Sequence, residues 1–116
     1  MITLGEIAEW ILVHRKNKVF KNYTLGEIVS RLAECVKDST MVCMTEVDGS
    51  IVGVACAKKD TDKHTMFVYD VLSIKKGAAK NMLQWLKANY PGYTLCGNRG
   101  GTLTVYNNLD KLINRM

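Results

Sequence analysis

The 116-residue chain holds one proline, Pro91, and no apolar run near the ~20 residues that a membrane-spanning helix requires. Glu6 and Glu9 interrupt its N-terminal segment, which therefore lacks the charged-then-apolar pattern of a secretory signal. The sequence predicts a soluble, cytoplasmic protein. It has no CxxC pair: Cys35, Cys43, Cys56 and Cys96 stand apart inside apolar segments, and His14 and His64 are far from one another. A zinc site needs ligands in close pairs, so no metal is expected and the cysteines read as reduced, small hydrophobes. Aromatic residues make up only 8% of the chain, and the most basic stretch, HRKNKVFKN from His14 to Asn22, contains just Phe20. One ring is a poor stacking platform, which favours a solvated loop over a nucleic-acid arm.

What is present is apolar bulk and positive charge. With 47% apolar residues, a single domain spanning 1–116 can bury a core. Sixteen basic residues against eleven acidic ones give a net charge of +5, which suits an anionic ligand: a nucleic acid, a phosphorylated cofactor or an acidic partner.

The segment TLGEI occurs twice, at Thr3–Ile7 and at Thr24–Ile28. Each copy is a T-x-x-E capping box, in which threonine and glutamate satisfy each other's stranded helix-end amides, so two helices start there. Leu4, Ile7, Ala8, Ile11 and Leu12 form the apolar stripe of the first; Leu25, Ile28, Val29, Leu32 and Val36 form that of the second. From Thr40 the period shortens. TMVCMTEV and SIVGVACA flank Asp48-Gly49, predicting two strands joined by a two-residue hairpin turn. The polar KKDTDKH leads to a third strand, TMFVYDVLSI. These strands are apolar on both sides, the pattern of a sheet covered on both faces. Ala79, Met82, Leu83, Leu86 and Tyr90 then recur at helical spacing up to Pro91-Gly92, and YTLCGNR reads as a further strand. Strand, helix and strand make a βαβ crossover that sets Tyr93–Arg99 parallel to Met66–Ile74. The reading is an α/β (α+β) domain of order ααβββαβ, with helices on both faces of a mixed sheet. The tail stays open: Thr102–Tyr106 looks extended, while Leu109, Leu112 and Ile113 suit a helix.

Chemistry concentrates at SIKKGAAKNML, Ser73–Leu83. A helix start aims free amides and the positive end of a dipole at an anion, Gly77-Ala78-Ala79 lets a phosphate approach the backbone, and Lys75 and Lys76 add charge. The same small residues also let a helix pack close to a sheet, and the spacing is neither a Walker A loop nor a dinucleotide fingerprint. Asp70 and Glu46 are the carboxylates inside apolar runs. Desolvation raises a carboxylate toward the range of a general base, and an ion pair with a nearby lysine is the other reading. Asp70 is favoured because it stands shortly before the end of the strand that leads into the lysine-glycine junction.

The element order, the hairpin phrase VDGSIVGVA at Val47–Ala55, the strand FVYDVLSI and the small-residue helix start resemble the GCN5-related N-acetyltransferase (GNAT) family over Thr24–Tyr106. That resemblance implies an enzyme that transfers an acetyl group from acetyl-CoA to an amine. In the family a Q/R-x-x-G-x-G/A loop holds the cofactor's pyrophosphate. Gly77 and Ala79 match the G-x-G/A pair, Ile74 stands at the Q/R position, and the loop is shorter than usual. The resemblance implies that Leu72, Ser73, Ile74, Lys75, Lys76, Gly77, Ala78, Ala79, Lys80 and Asn98 contact acetyl-CoA. It places Tyr106 as the acid that protonates the leaving thiolate; the base such a reaction needs would be Asp70, with Glu46 or water as the alternatives. The family's first strand and its last two strands are not evident here. The alternative implication is a non-catalytic module of the same fold, of a kind encoded by phages, that docks on a protein or a nucleic acid. The bare edge of so short a sheet is expected to invite a second copy.

Overall fold

A computed structural model describes residues 2–15, 20–38, 40–99 and 102–105 of the chain. Tyr106 and the open part of the tail beyond it lie outside the described residues.

Two helices come first, α1 (Leu4–His14) and α2 (Leu25–Asp38). Both begin at their capping boxes. The Thr3 hydroxyl accepts the Glu6 N–H at 3.1 Å while Glu6 Oε1 accepts the Thr3 N–H at 3.4 Å. Thr24 and Glu27 exchange the same bonds at 3.2 and 3.0 Å. Each box satisfies two of the amides that a helix start leaves stranded. The buried stripes are Ile7, Ala8 and Ile11 on α1 and Ile28, Leu32 and Cys35 on α2, whereas Leu12, Leu25 and Val36 are exposed. Val36 lies ~80° around the helix from Ile28, too far to share a narrow stripe, and Cys35 takes its place.

The sheet is built from β1 (Thr40–Thr45), β2 (Ile51–Asp60) and β3 (Thr65–Ser73), then, after α3 (Ala78–Asn89), from β4 (Thr94–Arg99) and β5 (Thr102–Val105). The strands lie in the order β1-β2-β3-β4-β5, and only β3 and β4 are parallel. This mixed α+β fold runs ααβββαββ, one strand more than the sequence reading, because the segment at Thr102 pairs antiparallel with β4. The β1–β2 connection also differs from expectation. The Gly49 N–H bonds the Glu46 carbonyl at 2.9 Å, closing a turn around Val47 and Asp48. Gly49 follows in the left-handed region at φ +92°, so the glycine terminates the turn instead of occupying its centre.

Two clusters of buried side chains form. Ile7, Ile11, Ile28 and Leu32 join Val54, Cys56 and Leu72 in one, while Leu83 and Leu86 join Ala57, Met66, Val68 and Leu95 in the other. β2 and β3 thus serve both. On β3 this involves a bulge: Cys56 pairs with Asp70 and Ala57 with Val68, which leaves Tyr69 as an extra residue. Gly53 permits the close approach of α3 to β2, since a Cβ there would stand 2.8 Å from Met82 Cε.

Candidate active site

β3 and β4 pair at only four positions, from Thr65 with Thr94 to Val68 with Gly97, although β3 continues to Ser73. The ladder expected to reach Ile74 stops early for a local reason. The Tyr69 bulge bends β3 at the next rung, while Asn98 and Arg99 go on to pair with Leu103 and Thr102 of β5. From Tyr69 to Ser73 the side of β3 toward β4 has no strand partner among the described residues. Its backbone groups line a slot that a hydrogen-bonding chain can enter.

The C-terminal end of β3 leads into the start of α3. Ser73, Ile74, Lys75, Lys76, Gly77, Ala79 and Lys80 surround a pocket of about 340 Å³. Gly77 is the N-cap of α3 at φ +86°, and no side chain caps this helix. A Cβ on Gly77 would meet nothing within 4 Å, so it is the left-handed backbone, not space, that demands glycine here. The Ala78 N–H bonds the Lys75 carbonyl at 3.1 Å, and the Asn81 N–H bonds the Gly77 carbonyl at 3.0 Å. First-turn amides have no carbonyl one turn earlier to receive them, which makes this end a donor for anions. Ala78 and Ala79 are buried, so their methyl groups pack helix against sheet, while Ala79 also lines the pocket. The two roles that the sequence left open for these small residues are compatible.

Charge around the pocket is divided. Lys75 Nζ lies 2.6 Å from Glu46 Oε1, and both side chains are roughly half exposed. A pair of this kind contributes at most ~1 kcal/mol and opens readily. Glu46 therefore has a lysine partner, whereas Lys76 points its charge into an exposed position. Ile74 is exposed as well, and its N–H extends the β2–β3 ladder by bonding the Val52 carbonyl at 2.9 Å. Leu72 is buried in the first cluster and, two residues before Ile74 and opposite Val54, turns its backbone toward β2, so Val71 and Ser73 are the residues whose backbone groups face the slot.

Comparison with protein-family models, with curated proteins and with solved structures finds no match to this chain.

Asp70 is held by a residue that sequence reasoning missed. Arg31 of α2 donates from Nε to Asp70 Oδ2 at 3.0 Å, the two side chains being 38% and 16% exposed. The guanidinium also stands 5.1 Å from the Tyr69 ring centre, 5.7 Å from Phe20 and 5.9 Å from Tyr23. The ion-pair reading had supposed a lysine; the partner is an arginine, whose flat, weakly hydrated head suits a box of rings. One signal could have found it: Arg31 falls three residues after Ile28 and one before Leu32, a cation on the flank of an apolar stripe.

Next to Tyr69 lies a second polar group. Cys35 Sγ is 3.3 Å from the Thr40 carbonyl. Hydrogen bonds from Cys56 and Tyr69, working against burial, pull the Cys35 thiol down to about 6. The contact with Cys35, together with burial, pushes Cys56 up; burial and then Cys35 push Tyr69 up. The four cysteines are free, and among the described residues no three histidine, cysteine or acidic side chains gather as a metal site. No helix among them is long and apolar enough to cross a membrane.

Of the residues singled out from sequence, Ser73 to Gly77, Ala79 and Lys80 thus come together around one pocket, whereas Ala78 and Leu72 do not line it. Asp70 sits two residues before Leu72, on the α2 side. Asn98 belongs to the β4–β5 ladder opposite Leu103. A slot of unpaired strand edge that runs to a lysine-flanked helix start fits an elongated ligand carrying amides along its length and an anion at one end.

Proposed function

We propose that the chain is an N-acetyltransferase of the GNAT type, taking the acetyl group from acetyl-CoA and placing it on an amine. The observation that carries this reading is the end of the β3–β4 ladder at Val68 beside the α3 pocket. The amide-bearing arm of the cofactor would pair with backbone from Tyr69 to Ser73, and its pyrophosphate would meet Lys76, Gly77, Ala79 and Lys80. At about 340 Å³ the pocket is near the small end of ligand sites, enough for a pyrophosphate with the remainder of the cofactor in the slot. Helices on both faces belong to the same proposal: Val54 and Cys56 join the α1–α2 cluster and Ala57 the α3 cluster, as alternate residues of one strand do.

The cofactor would supply an acyl group activated as a thioester. The protein would hold the amine against it, direct backbone donors at the developing oxyanion, and remove a proton. Arg31 engages Oδ2 of Asp70, and Oδ1 would take the proton from the amine. Tyr106 would return one to the thiolate, a transfer downhill in neither direction by more than a few pKa units, since a phenol lies at ~10 and a thiol at ~8.5.

A second reading, a non-catalytic module that docks on a protein or nucleic acid, draws on two observations. Ile74 offers no donor at the Q/R position, and Glu46 offsets the charge of Lys75. Thermal melting with and without acetyl-CoA separates the two. At about a hundred times its Kd, a ligand adds ~2.7 kcal/mol and raises the melting temperature by several degrees. Absence of any shift sinks the enzyme reading, and a shift without acetyl transfer to any of a panel of amines supports the module. Gly77→Val, which forces a branched side chain to φ +86°, should remove the shift; its survival would mean that the cofactor site is misplaced.

A further inference from the structure

The net charge is not spread evenly along the chain. Residues 71–109 hold five basic residues, Lys75, Lys76, Lys80, Lys87 and Arg99, and no acidic one, so the remainder holds eleven of each sign and is neutral. The whole surplus of +5 therefore belongs to α3 and its flanks. The sheet side chains that pack with α3, among them Val42, Ala57, Met66, Val68 and Leu95, add no acid to that layer. On the outer surface of the helix Asn81, Gln84, Trp85 and Lys87 are exposed, Trp85 to 46%. Asn81, Met82 and Trp85 form one wall of a groove of about 480 Å³, and Val42 and Met44 of β1 form part of the other. At the C-terminal end of α3, Lys59 of β2 stands 5.6 Å from the Tyr93 ring centre and 5.9 Å from that of Tyr90. The basic stretch at His14–Asn22 has a single ring, whereas here three rings share one surface with lysines.

We infer that this α3 face binds single-stranded nucleic acid, with one base held against Trp85 in the groove between α3 and β1. An acid-free layer that carries the whole net charge selects a polyanion, and half-exposed rings select one with flat groups to stack on them. The groove is within the size range of ligand pockets, and its apolar walls suit the faces of a base. Asn81 and Gln84 supply amides that both donate and accept, as base edges require. Lys59 and Lys87 would meet phosphates toward the C-terminal end of the helix. Five residues of helix set Trp85 and Tyr90 ~7.5 Å apart along the axis, about two nucleotide steps of ~3.4 Å. A duplex keeps its bases stacked inside, out of reach of such a groove, so the single strand is the form that fits. An acidic peptide would satisfy the lysines and leave Trp85 without a partner. The groove opens on the β1 side of α3, away from the slot beside β4, so the inference stands whether or not acetyl-CoA binds.

Fluorescence anisotropy of a labelled, mixed-sequence oligonucleotide of about twelve nucleotides, titrated with the full chain, should give a Kd on the order of 10 μM at ~50 mM salt that weakens steeply toward ~200 mM. Trp85→Ala should weaken binding about tenfold, while Trp85→Phe, which keeps a ring, should stay within about threefold of the wild type. Replacing Lys59 and Lys87 together by glutamine should flatten the slope of log Kd against log salt by about 1.4, the value for two phosphate contacts on a single strand. Absence of binding at ~50 mM salt overturns the inference, as does an unchanged affinity for Trp85→Ala. A duplex of the same sequence, or poly-glutamate, that competes as well as the unlabelled single strand also overturns it. If Trp85→Ala does not fold, an unchanged salt slope for the exposed double lysine variant decides against it in the same way.

Discussion

Replacing Arg31 tests the framework that holds Asp70. In the wild type its Nε bonds Asp70 at 3.0 Å, and three rings stand 5.1 to 5.9 Å from the guanidinium. A hydrogen bond to a charged group contributes ~1.5–3 kcal/mol when buried, but with Arg31 38% exposed the pair is reduced to ~1 kcal/mol by solvent screening. The rings add ~0.5 kcal/mol each at a site this accessible. Arg31→Ala should therefore lower stability by ~2–2.5 kcal/mol, measured as a shift in the urea midpoint at constant m-value. Arg31→Lys keeps the charge and loses the stacked, flat head, so it should recover less than half of that loss. Combining Arg31→Ala with Asp70→Asn closes a double-mutant cycle, and the coupling should be ~1 kcal/mol. A coupling below ~0.3 kcal/mol would show that the pair is a solvated contact and that Asp70 is not fixed by it.

Three further outcomes follow from the same structure. Because Cys35 is depressed to about 6, its contribution to stability is complete above the thiol's unfolded value of ~8.5 and is lost as pH falls through 6. Cys56 and Tyr69 are raised and act in the opposite sense, their contributions fading at alkaline pH, so wild-type stability relative to Cys35→Ala should climb from pH 6 to ~8.5 and then decline; a flat difference refutes it. Gly53→Ala should cost ~1 kcal/mol by pressing Met82, and should cost almost nothing in a Met82→Ala background; equal costs in the two backgrounds would place the strain elsewhere. Glu46→Gln frees Lys75 at the pocket and should tighten acetyl-CoA binding about threefold by calorimetry, whereas an unchanged affinity would mean that Lys75 does not reach the ligand.

Local signals were the legible ones. Both capping boxes announce their helices because threonine and glutamate three residues apart complete the structure themselves. The residues of the α3 pocket could be grouped in advance because they are nearly contiguous, from Ser73 to Lys80. The pairing of Asp70 with Arg31 spans 39 positions and depends on how α2 lies on the sheet, which no local pattern records. The hairpin was misread because Asp-Gly also ends a longer turn whose glycine follows the corner. The early end of the β3–β4 ladder left no mark either, since FVYDVLSI is apolar almost throughout and conceals the odd residue within it.

That odd residue, Tyr69, behaves as a change of reading frame. In an unbroken strand Val68, Asp70 and Leu72 would address the same side. Here Val68 joins the α3 cluster, whereas Asp70 meets Arg31 of α2 and Leu72 joins the α1–α2 cluster. The content of the second half of β3 is thus legible only relative to an insertion upstream of it. Substitutions can adjust what Asp70 touches without moving it across the sheet. A lineage that deleted Tyr69 would straighten β3 yet leave Asp70, now next after Val68, on the α2 side, and Val71 on the α3 side, with no change to any other letter of the strand.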